Sequence, residues 1–257
     1  MLPSTTGACG SWCAGGESGS FGSGSGAFTS SNPFGIWGNF VESGEHKIIR
    51  TTTIQVTVQE RGGGQLVREA TVTITETQNE YVNDDGQVVR TDPSQTTATA
   101  SNTGKGIREY TEESLRKMES IAKDIVEVSR QKQFDPTIAL GIALTETHMG
   151  MLKSRSSSLS MQTDVNPMQV TPGSGHRPTT DRRYNIAQAI DYFNEQATSN
   201  LNQSLQNYNR EPGRAAYARA AEDHINAIRS TVRTNIVRYN NWHMRDVRPP
   251  RVGFRPR

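Results

Sequence analysis

The sequence predicts a mainly α protein, with a helical domain in its C-terminal half preceded by a Gly/Ser-rich leader and a small antiparallel β module. Three observations lead there. Of the 23 glycines, 11 fall within the first 44 residues. Strict alternation of apolar and polar residues follows, and from Thr111 the apolar residues recur at intervals of three and four. Only 33% of the residues are hydrophobic and the mean hydropathy is -0.67. A core spread evenly over 257 residues is therefore not expected, because a segment that buries little apolar surface cannot offset the entropy of ordering it.

Taken in order, residues 1–44 read as a flexible leader, rich in Gly and Ser with isolated aromatics at Trp12, Phe21, Phe28, Phe34, Trp37 and Phe40. In Thr53-Ile54-Gln55-Val56-Thr57-Val58 and Ala70-Thr71-Val72-Thr73-Ile74-Thr75 every second side chain is apolar, and Gly62-Gly63-Gly64 lies between them, a hairpin signal. Asp85-Gly86 marks a further turn into Gln87-Val88-Val89-Arg90. Three strands with one apolar face persist only against a neighbour. Residues 92–106, full of Ser, Thr, Ala and Gly, read as connecting sequence, which sets the β module at 45–100 and the linker at 101–110.

The helical domain spans 111–244. Thr111 is an N-cap for a helix whose stripe is Leu115, Met118, Ile121, Ala122, Ile125 and Val128. Asp135-Pro136 opens a second helix, with a cap followed by proline at the first helical position, and its apolar circumference marks it as the buried one. Further helices are expected at about 183–198, 201–208, 213–220 and 222–241. Residues 245–257 form a cationic tail with five arginines and one acid.

Charge is nearly balanced at +2, so no global field argues for nucleic acid. No apolar run of the length of a membrane span occurs, and the first residues lack the basic and apolar regions of a secretory signal peptide. Cys9 and Cys13, without a second pair or a nearby histidine, make no zinc site; no metal and no cofactor is expected.

Candidate chemistry gathers in the helical half. Glu146 closes the apolar helix in Ala143-Leu144-Thr145-Glu146-Thr147-His148-Met149-Gly150, where lost hydration favours the neutral acid. Phe134-Asp135-Pro136-Thr137-Ile138-Ala139-Leu140 with Glu146-Thr147, then Asn166-Pro167-Met168-Gln169, Asn185-Ile186 with Ala189 and Tyr192, and Tyr208-Asn209 with Pro212, Gly213 and Tyr217 follow one another. In that order they resemble the motifs of the lysozyme-like superfamily, specifically soluble lytic transglycosylases and goose-type lysozymes. Glu146-Thr147-His148-Met149-Gly150 is closer to the goose-type form, and Tyr239 is similar to a tyrosine near the goose-type C-terminus. The resemblance covers about residues 111–242. Asn166-Pro167 stands where the family has Gly-Leu, and Thr171 stands where goose-type enzymes carry an acid; Asp164 is the acid close enough in sequence to substitute.

The resemblance implies a lysozyme-like catalytic domain that cleaves the β-1,4 bond between N-acetylmuramic acid and N-acetylglucosamine in peptidoglycan. Glu146 would be the general acid and base, Gln169 and Asn209 would bind acetamido or hydroxyl groups, Tyr208 would line the cleft and orient the glutamate, Thr147 would contact substrate or else position the motif loop as a structural residue, and Tyr239 would complete the substrate contacts. His148 reads as a surface or structural residue, and Tyr192 and Tyr217 as helix-packing aromatics. One convincing carboxylate favours transglycosylase chemistry, since inverting hydrolysis needs a second to activate water. A muramidase using Asp164, or a non-catalytic peptidoglycan-binding protein of the same fold, are the alternatives. The substrate implies action in the periplasm or outside the cell, reached by a non-classical route, with a delivery or immunity partner.

Overall fold

In the computed structural model, residues 45–153, 158–171, 174–209 and 211–239 are described. The leader at 1–44, with both cysteines, and the arginine-rich tail at 245–257 lie outside the described residues. Alternating β-branched residues build a hairpin much longer than the sequence suggests: β1 (His46–Gly62) and β2 (Gln65–Val82) pair antiparallel from His46↔Val82 to Gly62↔Gln65. Gly63 and Gly64 turn the chain with φ of 58° and 82°, the left-handed pair that a two-residue type I′ turn requires. β3 (Val88–Thr91) pairs with β2 over Glu80–Val82, β4 (Gln95–Asn102) pairs with the middle of β2 over Ala70–Thr77, and β5 (Arg233–Tyr239) pairs with β1 over Lys47–Thr53. The result is a five-stranded antiparallel sheet.

This sheet overturns the mainly α expectation, because the described residues are 40% helix and 29% strand. Two segments account for much of the difference. Thr96-Thr97-Ala98-Thr99-Ala100, within the presumed connecting sequence, is β4: threonine favours the pleated backbone, and the small faces of Ala98 and Ala100 pack on the core. Residues 233–239, expected at the end of a helix running to 241, are β5. Their β-branched neighbours lose side-chain freedom in a helix, and the adjacent edge of β1 pairs with them instead.

The helices are α1 (Glu112–Gln131), α2 (Pro136–Thr147), α3 (Arg182–Glu195), α4 (Leu201–Tyr208) and α5 (Arg214–Thr231). The Thr111 hydroxyl accepts the Ser114 N–H at 3.2 Å to start α1, and Asp135 Oδ1 accepts the Thr137 N–H at 2.9 Å to start α2. α5 is continuous where the sequence suggested two helices, since its alanines leave no break. Ile54, Val56 and Val58 of β1 and Ala70, Val72 and Ile74 of β2 join Met118, Ile121 and Ile125 of α1 and most of α2 in one hydrophobic core. The segment between strands and helices is fastened too: Asn102 accepts the Tyr110 N–H at 2.9 Å and donates to the Tyr110 carbonyl at 3.0 Å. Arg130 clasps Glu76 of β2 through two hydrogen bonds of 2.8 and 2.6 Å, tying the end of α1 to the sheet.

α2 is the central helix, buried around most of its circumference. Gly141 allows α5 to approach it, for a methyl group there would overlap the Ile225 side chain. Among the described residues no helix is long and apolar enough to cross a membrane.

Candidate active site

The C-terminal turn of α2 delivers Glu146, and the backbone beyond it is unusual. His148, Met149 and Gly150 all have positive φ, at 48°, 58° and 79°. Thr147 holds this turn in place. Fully buried, its hydroxyl lies 3.0 Å from the Ala143 carbonyl and 2.9 Å from the Pro167 carbonyl, and accepts the Gly150 N–H at 3.0 Å. A single hydroxyl thus joins the end of the glutamate-bearing helix to the Asn166-Pro167-Met168-Gln169 loop.

That loop is built by its own amides. Buried Asn166 donates to the carbonyls of Val170 at 2.7 Å and Ser160 at 3.0 Å and accepts the Val170 N–H at 3.1 Å. The turn places Gln169 at a φ of 53°, and its Nε2 donates to the Asn166 carbonyl at 2.8 Å. Asn185 of α3 braces the same region from below, donating to Val165 and Thr179 carbonyls at 2.7 and 2.8 Å. Tyr208, at the end of α4, donates its hydroxyl to the Met168 carbonyl at 2.7 Å and packs its ring against Tyr192 and Phe193, with centroids 5.3 and 5.9 Å away.

These contacts bring Glu146, Gln169, Tyr208 and Asn209 onto one groove of about 410 Å³. Leu152, Met161 and Val170 supply apolar surface; Lys153 is the cation among its described lining residues, and Glu211 is a further carboxylate there. The amide orientations follow from their partners. Gln169 spends an N–H on Asn166, so its oxygen is presented as an acceptor, whereas the Asn209 oxygen accepts the Glu211 N–H at 3.0 Å and leaves its NH₂ group as a donor. Each amide thus offers one hydrogen-bonding group beside the groove.

Tyr208 is held differently from the expectation: its hydroxyl proton goes to Met168, so it lines the groove and fixes the loop rather than orienting the glutamate through that proton. Tyr217 of α5, read from the sequence as a packing residue, also lies within the electrostatic reach of Glu146. Its hydroxyl oxygen is buried and has no partner at ordinary hydrogen-bond geometry. Burial pushes its pKa well above the usual tyrosine value, and the charge of Glu146 and the neighbouring Tyr208 add to the effect. The Tyr208 hydroxyl is raised in the same direction by burial, then by Glu146 and Tyr192. Glu146 therefore sits against two tyrosines that stay neutral.

Three other expected residues lie elsewhere. Thr147 is buried beneath the groove and reaches it only through the turns it joins. Asp164 is half-buried and does not line the groove. Tyr239 is on β5, opposite Lys47 and 53% exposed, because the segment is a strand and not the helix that would have carried it inward. His148 turns to a separate cleft shared with His224. Lys153 and Glu211 were not singled out as site residues, being lone residues with no motif role, and Tyr217 stood in the Tyr208-Asn209 motif but was read as a packing aromatic. Among the described residues no group of three or more His, Cys, Asp or Glu side chains could hold a metal ion.

No protein-family model, curated protein or solved structure matches this chain. The site's chemistry therefore rests on its geometry and on the resemblance of its motifs.

Proposed function

We propose that the protein is a peptidoglycan glycosidase that cuts the bond between N-acetylmuramic acid and N-acetylglucosamine as a lytic transglycosylase. The supporting observation is the meeting of Glu146, Gln169, Tyr208 and Asn209, from three separate segments, on one groove. Glu146 protonates the leaving O4 oxygen as the C1–O4 bond breaks. Its carboxylate then takes the proton of the muramyl C6 hydroxyl while that oxygen bonds to C1, closing a 1,6-anhydro ring. Glu146 ends protonated, as it began, and no water is consumed. Gln169 and Asn209 hold an acetamido group, and Tyr217 fixes the carboxyl's orientation. Peptidoglycan as substrate puts the site of action in the periplasm or outside the cell.

Glu211 favours a second reading, in which it activates water and the enzyme is a muramidase. Digestion of purified peptidoglycan followed by mass spectrometry of the muropeptides separates the two. Anhydromuramyl ends, one water lighter than reducing ends, are expected from the native chain and from Glu211→Gln. Reducing ends that vanish with Glu211→Gln would establish the muramidase. Glu146→Gln should lower turnover by at least about 100-fold with the fold unchanged by circular dichroism. Sedimentation of the native chain with the wall but no soluble product would leave a binding protein and overturn the enzymatic reading.

A further inference from the structure

β5 is the outermost strand on its side of the sheet, and among the described residues no strand covers it. All seven of its residues are exposed, and Ile236, Val237 and Tyr239 are 47%, 41% and 53% accessible. Edge strands of this kind are usually blunted by proline, charged side chains, lysine above all, or a bulge. β5 contains neither proline nor lysine, its two charges, Arg233 and Arg238, stand toward its ends, and its pairing with β1 runs without a register shift from Lys47↔Tyr239 to Thr53↔Arg233.

The direction of its free hydrogen-bonding groups can be read from its neighbour. The Gln55 N–H donates to the Thr231 hydroxyl at 2.9 Å, on the side of β1 where β5 begins. Odd-numbered residues of β1 therefore turn their N–H and C=O groups toward β5, and their partners Arg233, Asn235, Val237 and Tyr239 turn theirs back. The Thr52 and Thr234 hydroxyls, 3.3 Å apart, have the close side-chain approach of the alternate, non-hydrogen-bonded pairs. Thr234, Ile236 and Arg238 thus direct their backbone groups outward, with Ile236 at the centre.

We infer that β5 pairs antiparallel with β5 of a second copy of this chain, about a twofold axis through Ile236. This register uses every outward group: Ile236 pairs with its own counterpart, and Thr234 pairs with Arg238 of the other copy. Charge selects it as well. Arg233 falls opposite Tyr239, where a guanidinium can stack on a ring, and Arg238 falls opposite Thr234, so no arginine faces another. The two sheets become one, and none of the residues lining the groove is on the shared edge. The inference does not rest on the proposed activity. A seven-residue edge is shorter than a standard interface, so the dimer is weak, with a Kd of about 1 to 100 µM.

Sedimentation velocity of the full chain, from low micromolar to several hundred micromolar, tests this. A monomer–dimer equilibrium is expected, together with slower amide exchange at Thr234, Ile236 and Arg238 as concentration rises. Ile236→Lys and Ile236→Glu place like charges at the twofold axis, and each alone should be monomeric with an unchanged circular dichroism spectrum. An equimolar mixture of the two should dimerise again, which loss of folding could not produce. A native chain that stays monomeric throughout, a dimer indifferent to either substitution, a mixture that remains monomeric, or assembly beyond the dimer would overturn it.

Discussion

On one side of the last turn of α2, Glu146 faces a groove of about 410 Å³ with amide, lysine and tyrosine groups along it. On the other side, His148 faces a cleft of about 240 Å³, shared with His224 of α5 and with Gln55, Thr57 and Gln59 of β1. The two sides differ in how their polar groups are employed. In the cleft, the Thr145 hydroxyl lies 2.8 Å from the Gly141 carbonyl and 2.9 Å from Nδ1 of His224, so these polar groups are taken up by one another. In the groove, the Gln169 and Asn209 amides each keep one hydrogen-bonding end for a ligand. Polar groups consumed by one another make structure, whereas polar groups braced from behind and open in front make a site.

Thr147 lies between the two sides, and removing its hydroxyl should have the largest effect on stability. Thr147→Val keeps the shape but leaves the buried Gly150 N–H without its acceptor and the Pro167 carbonyl without its donor. A loss of about 2 to 3 kcal/mol is expected, read as a lower midpoint in chemical denaturation. Peptidoglycan turnover by the folded fraction should also fall about 10-fold, because the turn that aims Glu146 loosens against the Gln169 loop. Thr145→Val, one residue before Glu146 and facing the histidines, should leave turnover within about twofold. Equal losses from both substitutions would abolish the distinction between the two sides.

How legible this was in the sequence depended on whether a signal was local. Alternation marked the Ile54–Val58 and Ala70–Ile74 strands, and the caps at Thr111 and Asp135 marked their helices, because each is written within a few residues. The length of the hairpin, the strand at Gln95–Asn102 and the strand at Arg233–Tyr239 depend on partners distant along the chain. A run such as Thr234-Asn235-Ile236-Val237 is compatible with a helix end until the edge of β1 beside it is known. The same holds for the site. Glu146, Gln169, Tyr208 and Asn209 stood in recognisable local motifs with a chemical role attached, whereas Tyr217, the downstream tyrosine of the last motif, sits among alanines at ordinary helical spacing and reads as packing. Its role comes only from α5 crossing α2, as Gly141 permits beneath Ile225.

Tyr217 sharpens the groove side of the comparison. Its buried hydroxyl lies within reach of the Glu146 charge without a partner at ordinary hydrogen-bond geometry, so Tyr217→Phe removes a polar group beside the acid without opening a cavity. Turnover should fall about 5- to 20-fold with little change in KM, since the contact positions the acid rather than the sugar, and stability should change by less than about 1 kcal/mol. A rise in KM at unchanged kcat would instead make Tyr217 part of the substrate contact.

The histidine side should answer to pH through stability and not through turnover. Burial lowers the pKa of His148 below 6.5, with Glu60 opposing, and lowers that of His224, with His148 adding to the effect and Asp223 opposing. For a base whose folded pKa is depressed, the unfolded chain takes up the proton first, so stability is full above pH of about 6.5 and declines as pH falls toward the folded values. Both rings are partly open to solvent, which screens the effect to less than about 1 kcal/mol. Denaturation midpoints measured from pH 7.5 down to pH 5 should therefore fall slightly in the native chain and less in the His148→Gln, His224→Gln double variant. At pH 7.5 that variant should turn over peptidoglycan within about twofold of the native chain, in contrast to the loss at Glu146. A variant whose stability fell as steeply with acid as that of the native chain would assign the pH response to the carboxylates, and the two sides of α2 would then be coupled through charge as well as through Thr147.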